Sequence, residues 1–282
     1  MGGRHVEIQL LLDEQGNAVH LGERDCSIQR RHQKVIEESP SPAVTPDLRK
    51  RMCAAALEVA RAAGYVNAGT VEFLLDRDGR FYFLEMNARL QVEHGVSELV
   101  SGLDLVALQL RIAAGEPLPI TQDKVVLSGH AIECRIYAED PTRGYLPSSG
   151  RITYFLPPEG EGVRNDVGVE ARSDVPAEYD PLLAKLLVHA PSRQEALERC
   201  RRALDAYAIE GVKTNLGLLQ WVLASPAFAS GTADLETLEG IPPSEFLPRL
   251  PDEVLLAAAA VDAGGLAATR ERDPWTALGA WR

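Results

Sequence analysis

From Glu85 to Glu93 the chain alternates without a break. Odd positions are Glu85, Asn87, Arg89, Gln91 and Glu93; even positions are Met86, Ala88, Leu90 and Val92. Side chains of an extended chain point alternately to two faces. The run therefore predicts a strand over 85–93 with one greasy face for a core. Its other face carries two carboxylates, two amides and a guanidinium, with same-face neighbours roughly 7 Å apart. A solvated strand face seldom needs that mixture, whereas a site for a metal, a phosphate and a small anion does.

Elsewhere the same patterns predict further elements. Val6 to Leu12 reads as a strand, followed by a turn over 13–17 and a hairpin partner from Ala18 to Leu21. Residues 23–38 form a segment dense in charge, and Pro40 and Pro42 mark a loop. Thr45-Pro46-Asp47 opens a helix, with Thr as N-cap and Pro in the first turn, that runs to about Ala63 and stops at Gly64. Val71–Leu75 and Phe81–Leu84 pair through a hairpin-type turn over 76–80. Gly95 breaks the pattern, and an amphipathic helix over 103–114 is closed by Gly115 and Pro117. Around 116–128 the composition shifts to Pro, Thr, Gln and Asp, which marks a domain boundary. A β-rich block follows over 129–137, 151–156 and 163–169. Ser192 and Glu195 form a capping box ahead of a helix with Ala196, Leu197, Cys200, Leu204 and Tyr207 on one side, and 214–224 is a further short helix. The fold class is α+β, with units over 1–120 and 128–240 and a linker-like tail over 241–282.

Composition narrows the function classes. The 282 residues are 45% hydrophobic and 25% charged, as in an ordinary globular chain, and carry a net charge of −12. That charge argues against nucleic acid or an anionic membrane surface as a partner. No apolar run approaches the ~20 residues of a membrane helix, and the first residues hold no secretory core. Cys26, Cys53, Cys134 and Cys200 are scattered, which reads as reduced, buried thiols of a cytoplasmic protein. Neither a P-loop nor a G-x-S-x-G elbow occurs, and no paired His/Cys spacing suggests zinc.

Several of the candidate site residues carry two readings. Glu72 faces the 81–93 run across its hairpin, so Glu72, Glu85 and Asn87 form a set of hard oxygen ligands suited to Mg²⁺; the alternative is solvated acids on a sheet face. Arg89 is suited to an oxyanion or to a salt bridge with a neighbouring glutamate. Glu93 reads as a general base or as the acid at the N-terminus of a 96–100 helical segment. Lys34 is a point charge for phosphate or bicarbonate. His5 and His32 read more readily as structural hydrogen-bonders than as catalytic groups. Arg135, two residues from Glu133 in an apolar strand, reads as half of a sheet-face ion pair.

Taken together, several segments resemble the biotin carboxylase family of the ATP-grasp superfamily. They are Arg4–Gln9, Glu23–Lys34, Gly69–Phe73, Glu85–His94, Glu133–Arg135 and Tyr145–Gly150, and the likeness covers about 1–240. The resemblance implies the second half of an ATP-grasp fold, an antiparallel sheet with helices, followed by a β-rich biotin carboxylase C-terminal domain. It implies ATP-dependent carboxylation of biotin on a carrier protein, through carboxyphosphate, within an acyl-CoA carboxylase of the acetyl-, propionyl- or methylcrotonyl-CoA type. By the same resemblance, Glu72, Glu85 and Asn87 bind Mg²⁺ or Mn²⁺ bridging ATP phosphates. His5, Gln29 and His32 contact the nucleotide, with Leu74 near the adenine. Lys34, Arg89, Gln91 and Val92 hold bicarbonate, Glu93 deprotonates it, and Arg89 and Arg135 stabilise the biotin enolate. The implied partners are a biotin carboxyl carrier domain, a carboxyltransferase subunit and a second copy in a homodimer.

Inside the motifs, Gly95 stands for a frequent proline and Ser97 for a threonine, with little effect expected. The larger departure is at the start, where the family places a Rossmann-like N-domain and a glycine-rich lid that this sequence does not contain. The expectation is a catalytic half-site; the alternative is a non-catalytic fragment, or a split subunit that needs a separate N-terminal half. The methionines are Met1, Met52 and Met86, so no Ala-Met-Lys-Met biotinylation site is present and biotin is expected on another polypeptide or segment. The ending around Asp273-Pro274-Trp275 resembles, over a short stretch, the α subunits of acyl-CoA carboxylases.

Overall fold

A computed structural model describes residues 2–247; of the tail expected over 241–282, residues 248–282 lie outside the described residues. Six strands of the sheet come with three helices in the order β1 (Arg4–Leu12), β2 (Ala18–Arg30), β3 (Gln33–Ser39), α1 (Pro46–Ala62), β4 (Asn67–Leu75), β5 (Phe81–Asn87), α2 (His94–Ser101), α3 (Leu105–Ala113) and β6 (His130–Tyr137). After a stretch of short ladders come β7 (Val163–Val167), β8 (Leu182–Ala190), α4 (Arg193–Ala206) and α5 (Leu216–Ala224). The eight strands form one sheet in the order β7-β8-β6-β3-β2-β1-β4-β5, every neighbouring pair antiparallel. The α+β antiparallel architecture is as expected from the sequence.

β1 is covered on both faces, and this decides where the site lies. Its even positions Val6, Ile8 and Leu10 pack with Val71 and Phe73 of β4 against Met52, Cys53, Ala56 and Ala60 of α1. On the opposite face Leu11 joins Val19, Leu21 and Ala68 under Leu105, Leu108 and Ile112 of α3. Along that second face Glu7 and Gln9 are fully buried, because α2 lies across β2, β3, β6 and β8 next to them. The helix start is as predicted: the Thr45 hydroxyl accepts from the Leu48 N–H, with Pro46 at the first turn.

Three expectations are corrected. The hairpin partner expected over Ala18–Leu21 is longer: β2 runs on through the charged segment 23–38 to Arg30, and β3 returns from Gln33. The tight reversal uses left-handed backbone at Arg31 and His32. The strand predicted over 85–93 ends at Asn87. Residues 88–93 form an irregular turn that leads into α2, which is longer than the 96–100 segment expected there. Period-two alternation therefore survives without a strand: Gln91 and Glu93 turn inward to buried partners while Arg89 stays exposed. Among the described residues no helix is long and apolar enough to cross a membrane.

Candidate active site

Strand register brings the acids together. Glu7 of β1 is the Cα partner of Glu72 on β4, and Glu72 that of Glu85 on β5. On the other side of β1, Gln29 pairs with Lys34 across the β2–β3 hairpin. Above these strands lies a cleft of about 580 Å³, lined by His5, Gln29, His32, Lys34, Glu72, Glu85, Asn87, Arg89, Gln91, Val92, Glu93 and Arg135, together with Leu84, Tyr137 and Asp180. Every predicted site residue is in this lining except Leu74. Leu74 is half-buried opposite His5 in the β1–β4 ladder, and Leu84 takes the apolar position in the wall.

Lys34 is the electrostatic centre. Its Nζ lies 2.6 Å from Glu7 Oε2, 3.2 Å from Glu72 Oε1 and 2.5 Å from Glu93 Oε1. Burial works against its charge, but Cys26, Glu7 and Glu93 around it hold the ammonium well above its usual range. Burial also pushes the Glu7 carboxyl up, yet Arg24 and Lys34 pull it down to about 2. Glu72 reaches about 2 in the same way: against its burial act the His5 hydrogen bond and Lys34. His5 Nε2 is 2.8 Å from Glu72 Oε2, and its Nδ1 is 3.0 Å from Gln29 Nε2.

Glu93 stands at the start of α2 but does not cap it. Its second oxygen, Oε2, accepts from Arg135 Nη2 at 2.8 Å. The Arg135 Nε donates to Glu37 Oε1 at 2.5 Å, so Arg135 does pair on the sheet face, with Glu37 and Glu93 rather than with Glu133. Glu93 is thus held between two cations with both oxygens engaged. Arg89 forms no ion pair among the described residues; its Nη1 meets only the Leu90 carbonyl at 3.3 Å, leaving the guanidinium open to the cleft.

The donor set at Glu72, Asn87 and Glu85 fits a hard divalent cation. The Asn87 Nδ2 donates to Glu72 Oε1 at 3.0 Å and to Glu85 Oε1 at 3.2 Å. One amide already holds both carboxylates around a single point. A flip of that amide, nearly isosteric, presents Oδ1 there instead, which makes the oxygen-only set that Mg²⁺ or Mn²⁺ takes. His5, Glu7 and Glu72 also offer ligand atoms within 4.8 Å of one another, but Lys34 already sits among those carboxylates.

Sequence reasoning gave no role to Glu7, Gln9, Arg24 or Glu37. Arg24 is fully buried beneath the site. It donates to Glu7 at 2.7 Å, Gln9 at 2.6 Å, Ser97 at 3.0 Å, Thr70 at 3.1 Å and Gln91 at 2.9 Å. Gln91 in turn donates to Glu72 Oε1 at 2.7 Å. The signal was present as polar residues at every second position of two strands, but that pattern reads equally as a solvated face.

Residues 1–121 match the family model described as "Carbamoyl-phosphate synthase L chain, ATP binding domain", and residues 133–240 match "Biotin carboxylase C-terminal domain". A relative named biotin carboxylase, from Nostoc sp., is 54% identical over 228 residues, which is 81% of this chain and 51% of that protein. The mitochondrial propionyl-CoA carboxylase alpha chain of Caenorhabditis elegans is 47% identical over 271 residues, 94% of this chain and 37% of the relative. Among solved structures, the biotin carboxylase domain dimer of Hydrogenobacter thermophilus 2-oxoglutarate carboxylase, in complex with MgADP, ADP and bicarbonate, superposes with a TM-score of 0.85. That structure is 44% identical, over 88% of this chain and 55% of the other. The chain spans about half the length, or less, of these relatives.

Proposed function

We propose that this chain, which belongs to the biotin carboxylase family, carries site residues for the ATP-dependent carboxylation of carrier-linked biotin by bicarbonate. The observation that carries this reading is Glu93, clamped between Lys34 and Arg135 beside the Glu72–Asn87–Glu85 oxygen set. Glu72, Glu85 and Asn87 hold Mg²⁺ or Mn²⁺, which when bound supplies positive charge against the phosphates of ATP. His5, Gln29 and His32 line the nucleotide side. Lys34, Arg89, Gln91 and Val92 position bicarbonate in the same cleft.

Glu93 takes the bicarbonate proton. The freed oxygen attacks the γ-phosphorus as the bond to ADP breaks, giving carboxyphosphate. Decomposition yields CO₂ and phosphate; the phosphate removes the biotin N1 proton, and N1 bonds to CO₂. Arg89, open to the cleft, and Arg135 stabilise the enolate oxygen that forms meanwhile. The MgADP, bicarbonate and dimeric state of the Hydrogenobacter domain support the same ligands and a homodimer here. We also place a biotin carboxyl carrier domain and a carboxyltransferase among its partners; the naming of one relative as the alpha chain of a carboxylase supports an assembly of more than one chain. We place the protein in the cytoplasm, in keeping with four free, buried cysteines.

The test is ATP hydrolysis by the native protein at saturating Mg²⁺, with and without bicarbonate and free biotin. Hydrolysis is expected to need both substrates, and Arg89→Ala to lower it ~100-fold, as loss of one oxyanion donor does. Turnover indifferent to either substrate, or to Arg89, overturns the reading.

A further inference from the structure

Behind the wall of the cleft lies a pair of carboxyl groups that this reaction scheme leaves without a role. Glu37 on β3 and Glu133 on β6 are Cα partners in the antiparallel ladder. Side chains so placed share a face, with Cβ atoms about 5 Å apart. Both residues are fully buried. Glu37 Oε1 accepts from Arg135, while its Oε2 has no partner. Neither oxygen of Glu133 has a hydrogen-bond partner, and Lys185 Nζ stands off at 4.0 Å. Two buried carboxyls this close do not both ionise at little cost. Burial, then the charge of Glu37, pushes Glu133 well above the usual range. Burial, resisted by Arg135, leaves Glu37 at about 7.

The other charged and titratable groups facing the pair are few. Arg135 and Tyr137 come from β6, Glu93 from the turn before α2, Lys34 from β3, Cys26 from β2 and Lys185 from β8. The first turn of α2 closes the last side, where a Cβ on Gly95 would lie 3.3 Å from Glu133 Oε2.

We propose that Glu37 is a positioning residue for the reaction: it shares one proton with Glu133 and thereby sets how much of the Arg135 charge falls on Glu93. The proposal rests on the reading of Glu93 as the base. Arg135 lies between Glu37 and Glu93 and divides its charge between them. While the buried pair holds a single proton it carries one negative charge, which balances Arg135 on that side. Glu93 then keeps its affinity for a proton. When the pair takes up a second proton, Arg135 is balanced by Glu93 alone, and Glu93 becomes the weaker base.

Two measurements on the native protein test this. The first is the infrared C=O stretch of protonated carboxyl groups as pH is varied, which needs no turnover. A protonated carboxyl is expected at neutral pH in the wild type and is expected to be lost in Glu133→Gln, where Glu37 is left beside Arg135 and ionises. A band unchanged in that variant overturns the shared proton. The second is the pH profile of kcat for biotin-dependent ATP hydrolysis. In Glu37→Gln the acid limb is expected to move to lower pH and the plateau to fall about tenfold, as for a weakened general base. An acid limb that stays at the wild-type pH overturns the positioning role, however far kcat drops, since a merely structural defect lowers the whole profile. If wild-type hydrolysis proves independent of biotin, the proposed function falls, and the infrared arm still decides the fate of the shared proton.

Discussion

Arg24 shows what a single buried side chain does for this site. It has no solvent exposure and donates to five residues on four segments of the chain. Through Glu7 it fixes one partner of Lys34, and through Gln91 one partner of Glu72. Taking a guanidinium out of water is costly, and Glu7 and the neutral acceptors around it offset that cost. Removing Arg24 leaves Glu7 buried with Lys34 as its close cation. Arg24→Met is therefore expected to destabilise the fold by about 3–5 kcal/mol, read from the shift of a urea unfolding midpoint at constant slope. A midpoint that barely moves would mean that the network relaxes around the apolar side chain and that Arg24 is dispensable. The residues of the site differ in how far the sequence reveals them. Glu85, Asn87, Arg89, Gln91 and Glu93 stand out because five polar side chains of mixed chemistry fall on one face of a short run. Glu7, Gln9, Arg24 and Glu37 do not stand out. Nothing in an alternating strand says whether its polar face meets water or a helix, and only the packing of α2 over β2 and β3 puts them inside.

Elements with a local chemical reason were legible, and those whose reason is tertiary were not. The start of α1 is written in Thr45-Pro46-Asp47, and the structure returns the cap bond from Leu48 N–H to Thr45 Oγ1 at 3.3 Å. Thr45→Ala is expected to cost about 1 kcal/mol, and Thr45→Ser close to nothing, because the hydroxyl rather than the methyl makes the bond. Paired thermal melts of the two variants check this; equal losses would point to packing of the methyl group instead. The turn over 88–93 has no such local reason. Its alternation matches a strand, yet β4 pairs only as far as Thr70 with Asn87, and beyond that point the chain leaves the sheet for α2. What holds the turn is long-range: Gln91 to Arg24, Glu93 to Lys34 and Arg135, and the Val92 carbonyl to Lys185. The extension of β2 through the charged segment has the same origin. Its charges pair inward, Arg24 with Glu7 and Glu23 with Arg49, so a stretch dense in charge becomes a buried strand.

On the scale of the whole described molecule, the sheet runs across the composition change at 116–128. Ile36 to Ser39 of β3 pair with Cys134 to Ala131 of β6, and β8 then pairs along the far edge of β6. No one-dimensional pattern announces that join, because an antiparallel ladder between distant strands uses backbone groups that every residue owns. Its consequence for the site is that side chains from the later part of the sequence hold a turn in the earlier part. Lys185 on β8 donates to the Val92 carbonyl at 2.7 Å and pairs with Asp166 on β7 at 3.1 Å. The turn it grips carries Arg89, Gln91 and Glu93, but Lys185 does not line the cleft. A charged hydrogen bond of this kind contributes about 1.5–3 kcal/mol. On the proposed function, if most of that holds the turn in its binding shape, Lys185→Met should raise the KM for bicarbonate about tenfold, the equivalent of 1.4 kcal/mol. A smaller change in kcat is expected, since Glu93, the proposed base, and its two cations keep their own contacts. Asp166→Asn, which removes the ion pair and leaves the Val92 bond, should lower thermal stability and move KM little. Should both variants lose stability alike while the bicarbonate KM stays put, Lys185 would be a strut of the sheet and nothing more. The split between KM and stability is thus the measure of whether the continuity of the sheet matters to the site or only to the fold.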